Sequence, residues 1–198
     1  MLTKTRAKDV IALDPETHTY RVNGFVRPGI TDILKSVGLI PDYRGDGSAA
    51  HRGRAVHLAT ELLDAGTLDW SSVDDALIPF LNAYENCLKE WNLVPDVREQ
   101  IVYHPYCFFA GTLDGVYRMS PHGRILVDIK TGDAIPPHAK YQTAAYADAW
   151  GSTHGGERLL RGVILLRENG SHDFKTFTDP DDLVIFNSAL NVWRAKNG

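Results

Sequence analysis

The sequence predicts an α/β fold with a central mixed β-sheet flanked by helices and a β-hairpin at the N-terminus. Three observations lead to this prediction. An Asn-Gly pair separates two β-prone segments early in the chain, helical periodicity fills residues 49–91, and strand patterns follow from residue 97 to residue 130 before a further helix. This order of hairpin, helices, strands, helix, strands and helix is typical of a sheet covered by helices.

Composition and charge describe an ordinary globular chain. Its 198 residues are 43% hydrophobic and 23% charged, which predicts one domain, with a hairpin and short helix at 1–47 and a core at 48–198. The net charge of −4 does not indicate a polyanion-binding protein, so binding of nucleic acid would need a local basic surface or metal ions. No membrane span and no secretory signal are visible, so we expect a cytoplasmic location.

The two cysteines, Cys87 and Cys107, lie in apolar contexts. This is more typical of reduced core residues than of a disulfide. Two cysteines cannot supply the four thiolates of an iron–sulfur cluster or of a zinc site built on sulfur alone.

The first predicted element is a hairpin over Thr17–Val26. Its turn is Asn23-Gly24, which suits a type I′ turn because such a turn needs positive φ at both central residues. Thr31 is expected to cap a short helix from Asp32 to about Val37.

Two longer helices are predicted next, from about Ala49 to Ala65 and from Val73 to Trp91. Apolar side chains recur at helical spacing in both, which predicts that each helix packs one face into a core. On the first of them, Arg54, His57 and Glu61 share a polar face.

Strands and helices then alternate. Three strands are predicted over Arg98–Tyr103, Phe108–Tyr117 and Arg124–Lys130. The third turns its β-branched residues toward a core and places Asp128 and Lys130 on the other face. The remaining elements are a helix from Pro136 to about Trp150, an apolar strand over Leu160–Leu166, a strand over Asp173–Phe177 and a helix from Asp179 through Trp193.

Asp114 and Asp128 are candidate ligands for a metal ion. They come from consecutive strands, which usually pair, so their carboxylates could meet across ~5 Å. Mg²⁺ prefers one or two carboxylates, with water and phosphate completing its shell. Lys130 shares a face with Asp128 and could orient or deprotonate a water that attacks phosphorus, or stabilise developing charge.

Each of these pieces is unspecific alone, because Asp-x-Lys is usually a solvated strand or turn and a polar-face histidine is usually a surface residue. Their combination is more telling. Asp114 precedes the Asp-x-Lys by 14 residues, a Gln-x-x-x-Tyr follows 12 residues after Lys130, and a Gly-x-x-x-His ends upstream at His57.

Together these motifs resemble the PD-(D/E)XK nuclease superfamily, in the branch of the RecB nuclease domain and phage-type exonucleases. The resemblance covers roughly Arg52 to Trp150 and the order of elements after it. The N-terminal segment HTYRVNGFVRPGITDIL also looks like the entry segment of phage members. The resemblance implies a restriction-endonuclease-like core.

The resemblance also implies roles for individual residues. It gives metal ligation to His57, Asp114, Asp128 and the main-chain carbonyl of Ile129, and catalysis to Asp114, Asp128 and Lys130. It implies that Gln142 and Tyr146 contact the DNA backbone or brace the site, and that Glu99 matches a frequent glutamate of the family. Glu61 is a further candidate because it shares a face with His57.

Other side chains could contact nucleic acid. The residues Arg44, Arg52, Arg54 and Lys140 could form a local basic track. The aromatic residues Tyr106, Phe108 and Tyr141 could stack on bases, although such residues are more often part of a core.

The implied function is that of a metal-dependent deoxyribonuclease, an exonuclease of recombination, repair or phage DNA metabolism. It would use one or two Mg²⁺ or Mn²⁺ ions and no iron–sulfur cluster. Its partners would be DNA ends, single- or double-stranded, and a helicase or a single-strand annealing or binding protein, with no membrane. Two alternatives stay open: a non-catalytic module that binds DNA ends or a recombination partner, and a nuclease that acts on RNA.

Overall fold

The computed structural model describes residues 9–41 and 47–197, which form two β-sheets and five α-helices within those ranges. The central sheet has five strands in the order β4-β5-β6-β7-β8: Leu93–His104, Phe109–Met119, Gly123–Thr131, Leu160–Leu166 and His172–Phe177. Only β6 and β7 pair in parallel; the other neighbours are antiparallel. The predicted mixed sheet flanked by helices is therefore confirmed.

The N-terminal hairpin is also confirmed, and it belongs to a small antiparallel sheet. Its strands are β1 Ile11–Asp14, β2 Thr19–Val22 and β3 Phe25–Arg27. Asn23 and Gly24 have φ of 53° and 82°, the positive values that the type I′ turn requires. The sequence did not reveal β1, because the segment between β1 and β2 contains no Asn-Gly or similar Gly-containing turn signal.

The five α-helices surround the central sheet. They are α1 Ile30–Ser36, α2 Ser48–Asp64, α3 Ile78–Glu90, α4 Ala139–Thr153 and α5 Asp181–Asn197. None of the helices in the described ranges is long and apolar enough to cross a membrane. The candidate Arg44 lies outside the described residues.

Three predicted helix starts are wrong. The residue before α1 is Gly29, which makes no side-chain cap, and Thr31 lies inside the helix. Before α3, the side chains of Asp69 and Asp74 accept backbone N–H groups and close two 3₁₀ turns, Trp70–Ser72 and Asp75–Leu77. Helix α4 begins at Ala139, not at the prolines, because Pro136 and Pro137 stand in the turn that precedes it.

The core lies on both faces of the central sheet. One cluster packs against α1, α4 and α5 and includes Leu126, while the other packs against α2 and α3 and includes Ile125, Val127 and Ile129. The prediction of a single core face for β6 is thus incomplete. Because both faces are covered, Asp128 on this strand is only 1% exposed. Both cysteines are free, and Cys87 is buried as predicted for a core residue, whereas Cys107 is only partly buried.

Candidate metal centre

A cleft of about 780 Å³ opens between the N-terminal sheet, α2 and the central sheet. Helix α2 turns the polar face predicted from the sequence into this cleft. The side chains of the cleft with polar groups are His18, Tyr20, Thr31, Arg54, His57, Glu61, Glu99, Thr112, Asp114, Lys130, Thr131 and Tyr146. Two of them, Tyr20 of β2 and His18 in the turn before it, were not among the site residues that the sequence predicted.

Three of these side chains form a group that could hold a metal ion. The ligand atoms of His57, Glu99 and Asp114 all lie within 4.8 Å of one another, and no other such group of three occurs among residues 9–41 and 47–197. Nδ1 of His57 is 3.6 Å from Asp114 Oδ1 and 4.0 Å from Glu99 Oε1. Two carboxylates and an imidazole suit a divalent cation.

The strand register brings the two acids together. On the paired strands β4 and β5, Arg98 stands opposite Gly115 and Gln100 opposite Leu113, so Glu99 faces Asp114 between them. Side chains directly opposite on antiparallel strands approach to about 5 Å. Glu99 has a φ of 45°, a left-handed conformation that is uncommon for glutamate and that is held between these two paired positions.

The backbone of β6 orients His57 and Asp114. The N–H of Ile129 donates to Oδ2 of Asp114 at 2.6 Å, and Nε2 of His57 lies 3.0 Å from the carbonyl oxygen of Ile129. A carbonyl only accepts, so Nε2 must carry the proton in this contact. Nδ1, the nitrogen left to ligate a metal ion, therefore faces the two carboxylates.

Electrostatics at the group favour a bound cation. Burial, helped by the negative charge of Asp114, raises the pKa of Glu99 to about 7, although His57 and Arg98 oppose this shift. The buried Oε1 of Glu99 accepts no hydrogen bond within the described part of the chain. A buried oxygen without a donor is costly, and a divalent ion would satisfy it. The residues present thus fit a metal ion.

Asp128, which is buried, and Lys130, which is partly buried, form an ion pair next to this group. Nζ of Lys130 lies 3.0 Å and 2.9 Å from the two carboxylate oxygens of Asp128. The carboxylate of Asp128 thus lies against Lys130 and is not a member of the group of three. Burial raises the pKa of Asp128 to about 6 against the opposing effect of the ammonium.

Helix α4 holds the lysine in place. The Oε1 of Gln142 accepts from Nζ of Lys130 at 3.2 Å, and Nε2 of Gln142 donates to the hydroxyl of Tyr146 at 3.1 Å. Burial acts to lower the pKa of Lys130, but the carboxylates of Asp128 and Asp114 outweigh it and raise that pKa. The side chain is therefore an ammonium, suited to binding and orienting and not to accepting a proton.

A second buried network, which we call the Arg98 network, joins the elements behind the site. Its members are Arg98 on β4, Tyr117 on β5, Thr60 and Asp64 on α2, and Tyr84 on α3. The guanidinium of Arg98 donates to Asp64 at 2.6 Å and to the Tyr84 hydroxyl at 2.7 Å.

It also donates to the Tyr117 hydroxyl and, at 3.1 Å, to Thr60, whose hydroxyl donates to the carbonyl of His57 at 2.9 Å. The sequence did not reveal this network, because an arginine in a strand is usually exposed.

The remaining candidates are distributed differently. Arg54 and Glu61 line the cleft, whereas Arg52 lies 3.9 Å from Glu168 and over the ring of Phe80. Lys140 is outside the cleft, with its Nζ near Asp182 and the ring of Tyr141. Tyr106 and Phe108 are exposed at the turn between β4 and β5. The structure therefore places Arg54, and not Arg52 or Lys140, in the cleft that contains the group of ligands.

The fold, a five-stranded mixed sheet with flanking helices, is similar to that of a solved structure described as a candidate exonuclease. A candidate exonuclease from Eubacterium rectale is similar with a TM-score of 0.50 and 8% identity, over 83% of this chain and 71% of that one. An alkaline exonuclease from Laribacter hongkongensis has a TM-score of 0.49 and 12% identity, over 86% of this chain and 87% of its own. At sequence identities of 8% and 12%, the similarity is evidence about the fold alone. No protein-family model and no curated protein sequence matches this chain.

Proposed function

We propose that this chain is a metal-dependent deoxyribonuclease of the PD-(D/E)XK type that removes nucleotides from DNA ends. The observation that carries the proposal is the group of His57, Glu99 and Asp114 beside the ion pair of Asp128 and Lys130. Such a set combines ligands for a hard cation with a fixed positive charge, which is what hydrolysis of a phosphodiester requires.

The roles follow from the contacts of each side chain. Nδ1 of His57 and the free oxygens of Glu99 and Asp114 would hold one or two Mg²⁺ or Mn²⁺ ions, with Asp128 and the carbonyl of Ile129 as further donors. The bound cation supplies Lewis-acid activation of water and of the scissile phosphate.

Lys130 orients the attacking water and stabilises the charge that develops on the phosphoryl oxygens. Its ammonium is held by Asp128 on one side and by Gln142 on the other. Tyr146, bonded to Gln142, fixes the amide so that its oxygen faces the lysine. A charge held in this way needs no reorganisation as the reaction proceeds, which lowers the barrier.

The test is digestion of oligonucleotides labelled at the 5′ or the 3′ end, single- or double-stranded, with Mg²⁺, Mn²⁺ or chelator, and with a closed circle as control. We expect metal-dependent release of short products from linear DNA and an intact circle. Asp114→Asn should abolish release, and the matched exposed variant Asp75→Asn should not. Cleavage by Asp114→Asn at the wild-type rate would falsify the assignment, and preferential cleavage of a matched RNA would replace DNA as the substrate.

A further inference from the structure

Four side chains form an exposed surface beside the cleft, which we call the stacking platform: Phe25 and Arg27 of β3, and Tyr106 and Phe108 of the turn between β4 and β5. The three aromatic residues are 67%, 67% and 52% exposed in that order. The guanidinium of Arg27 lies 4.8 Å from the ring centre of Phe108 and 5.7 Å from that of Phe25. A cation set between two exposed rings is not a feature of a core.

The backbone of the β4–β5 turn holds the rings of Tyr106 and Phe108 in exposed positions. Phe108 has a φ of 55°, in the left-handed region that bulky residues rarely adopt. Nδ1 of His104 accepts the N–H of Cys107 at 3.0 Å, and the N–H of Phe108 donates to the carbonyl of His104 at 2.8 Å. The side chain of Arg194 also donates to the carbonyl of Cys107. The exposed ring is thus held by a fixed and strained backbone, a feature that often accompanies function.

The platform shares a sheet face and a strand with residues that line the cleft. Arg27 stands directly opposite Tyr20 in the antiparallel register, so both side chains lie on the same face of the N-terminal sheet. Tyr20 lines the cleft, and its hydroxyl is 3.0 Å from that of Thr112. Phe108 precedes Thr112 by four residues, which is about 13 Å along an extended strand. A DNA strand that leaves the cleft on this side therefore meets the platform.

The chemistry of the platform selects bases over phosphates. Arg27 and Phe108 also line a small recess that contains the carboxylate of Asp9. This carboxylate accepts hydrogen bonds from Asn23 and Tyr103, and it would repel a phosphate. Aromatic faces and a guanidinium plane bind the faces of unpaired bases without regard to sequence. Bases within a duplex are stacked on one another and do not offer these faces.

We propose that the platform binds unpaired bases of the DNA strand that enters or leaves the cleft, so that the protein engages single-stranded ends in preference to blunt ones. This inference rests on the proposed nuclease function for its substrate. Its physical basis is separate, because none of the four side chains belongs to the group of metal ligands.

The test is binding of a fluorescein-labelled oligothymidylate, followed by anisotropy in chelator so that no cleavage occurs. Phe108→Ala, Phe25→Ala and Arg27→Ala should each weaken binding by roughly 5- to 100-fold, the contribution of one stacked base. The matched controls are Val26→Ala and Arg21→Ala, because these two side chains lie opposite each other on the other face of the same sheet. They should change binding by less than about twofold, since they lie on the face of the sheet that is turned away from the platform.

A control for folding and the following outcomes decide whether the platform binds bases. Phe108→Trp should retain binding, which separates stacking from a loss of folding, and thermal melting of each variant checks the fold. Wild-type binding by the alanine variants, or an equal loss of affinity for a blunt duplex, would overturn the platform. If the alanine variants bind more weakly and the wild-type protein cleaves no DNA, the platform is supported and the nuclease function is overturned. If the alanine variants bind as wild type does and the wild-type protein cleaves DNA, only the platform is overturned.

Discussion

The hydrogen bond between His57 and the carbonyl of Ile129 decides which nitrogen of the imidazole is available. Nε2 carries the proton in that contact, and Nδ1 faces Asp114 and Glu99. The same carbonyl that the family resemblance offers as a metal ligand thus also fixes the histidine. A second lone pair remains on this oxygen, so the two roles are compatible.

The first prediction concerns a single residue, Lys130. Lys130→Ala removes the ammonium that Asp128 and Gln142 hold, and we expect the cleavage rate to fall by ~10²–10⁴. Binding of oligonucleotide in chelator should change little, because the loss is confined to the reacting centre. Single-turnover digestion measures the rate, and Lys89→Ala, an exposed lysine of α3, is the control. A loss of less than about fivefold would remove Lys130 from catalysis, since it is far below that contribution.

The Arg98 network acts between elements, joining α2, α3, β4 and β5 behind the metal ligands. Burial raises the pKa of Asp64, although Tyr84 and Arg98 oppose the shift, so the carboxylate depends on its partners to stay ionised. Removal of one partner of a buried ion pair leaves a charge without compensation. The spacing of His57, Glu99 and Asp114 rests on the elements that this network connects.

We therefore predict that Arg98→Met lowers the free energy of unfolding in urea by about 3–5 kcal/mol. The double variant Arg98→Met/Asp64→Leu should recover part of this loss, because it removes both charges together. Arg118→Met, an exposed arginine of the neighbouring strand, should cost less than about 0.5 kcal/mol. Equal losses in the single and the double variant would show that the charge pair is not what the network contributes.

Sequence and structure agree at the level of local signals. The Asn23-Gly24 turn, the polar face of α2 and the Asp-x-Lys strand were all predictable, because each depends on residues close in the chain. The Glu99–Asp114 contact from strand register and the Arg98 network were not, because neither pairing nor burial of a charge can be deduced from a single segment. The 3₁₀ turns before α3 were missed because aspartate side chains compete there with the helical hydrogen bonds.

Over the whole molecule, the acids of the cleft link stability to pH and metal. The pKa of Glu99 is raised from 4.5 to about 7, first by burial and then by the charge of Asp114. The folded protein therefore holds a proton that the unfolded chain has released. This contribution to stability is complete below the unfolded pKa of 4.5 and is lost as the pH rises through about 7.

In chelator, the melting temperature should therefore fall between about pH 5 and pH 8, and Glu99→Gln should flatten that fall. Saturating Mg²⁺ or Mn²⁺ should restore the loss in wild-type protein, because an ion that binds only the folded state stabilises it. Differential scanning fluorimetry across pH measures both effects, with the exposed Glu16→Gln as control. A pH profile of Glu99→Gln that matches wild type would exclude Glu99 as the group concerned.

The candidate site gathers its side chains from four separated segments, α2, β4, β5 and β6, and this has a consequence for the growing chain. A polypeptide that has been synthesised only through β5 already contains His57, Glu99 and Asp114. It lacks Lys130 and the helix α4 that holds it. Because domains fold as units during synthesis, a ribosome-bound fragment that ends at β5 contains these three ligands without the β6 backbone that orients His57 and Asp114. The order of translation thus delays cleavage until β6 and α4 have been made and packed.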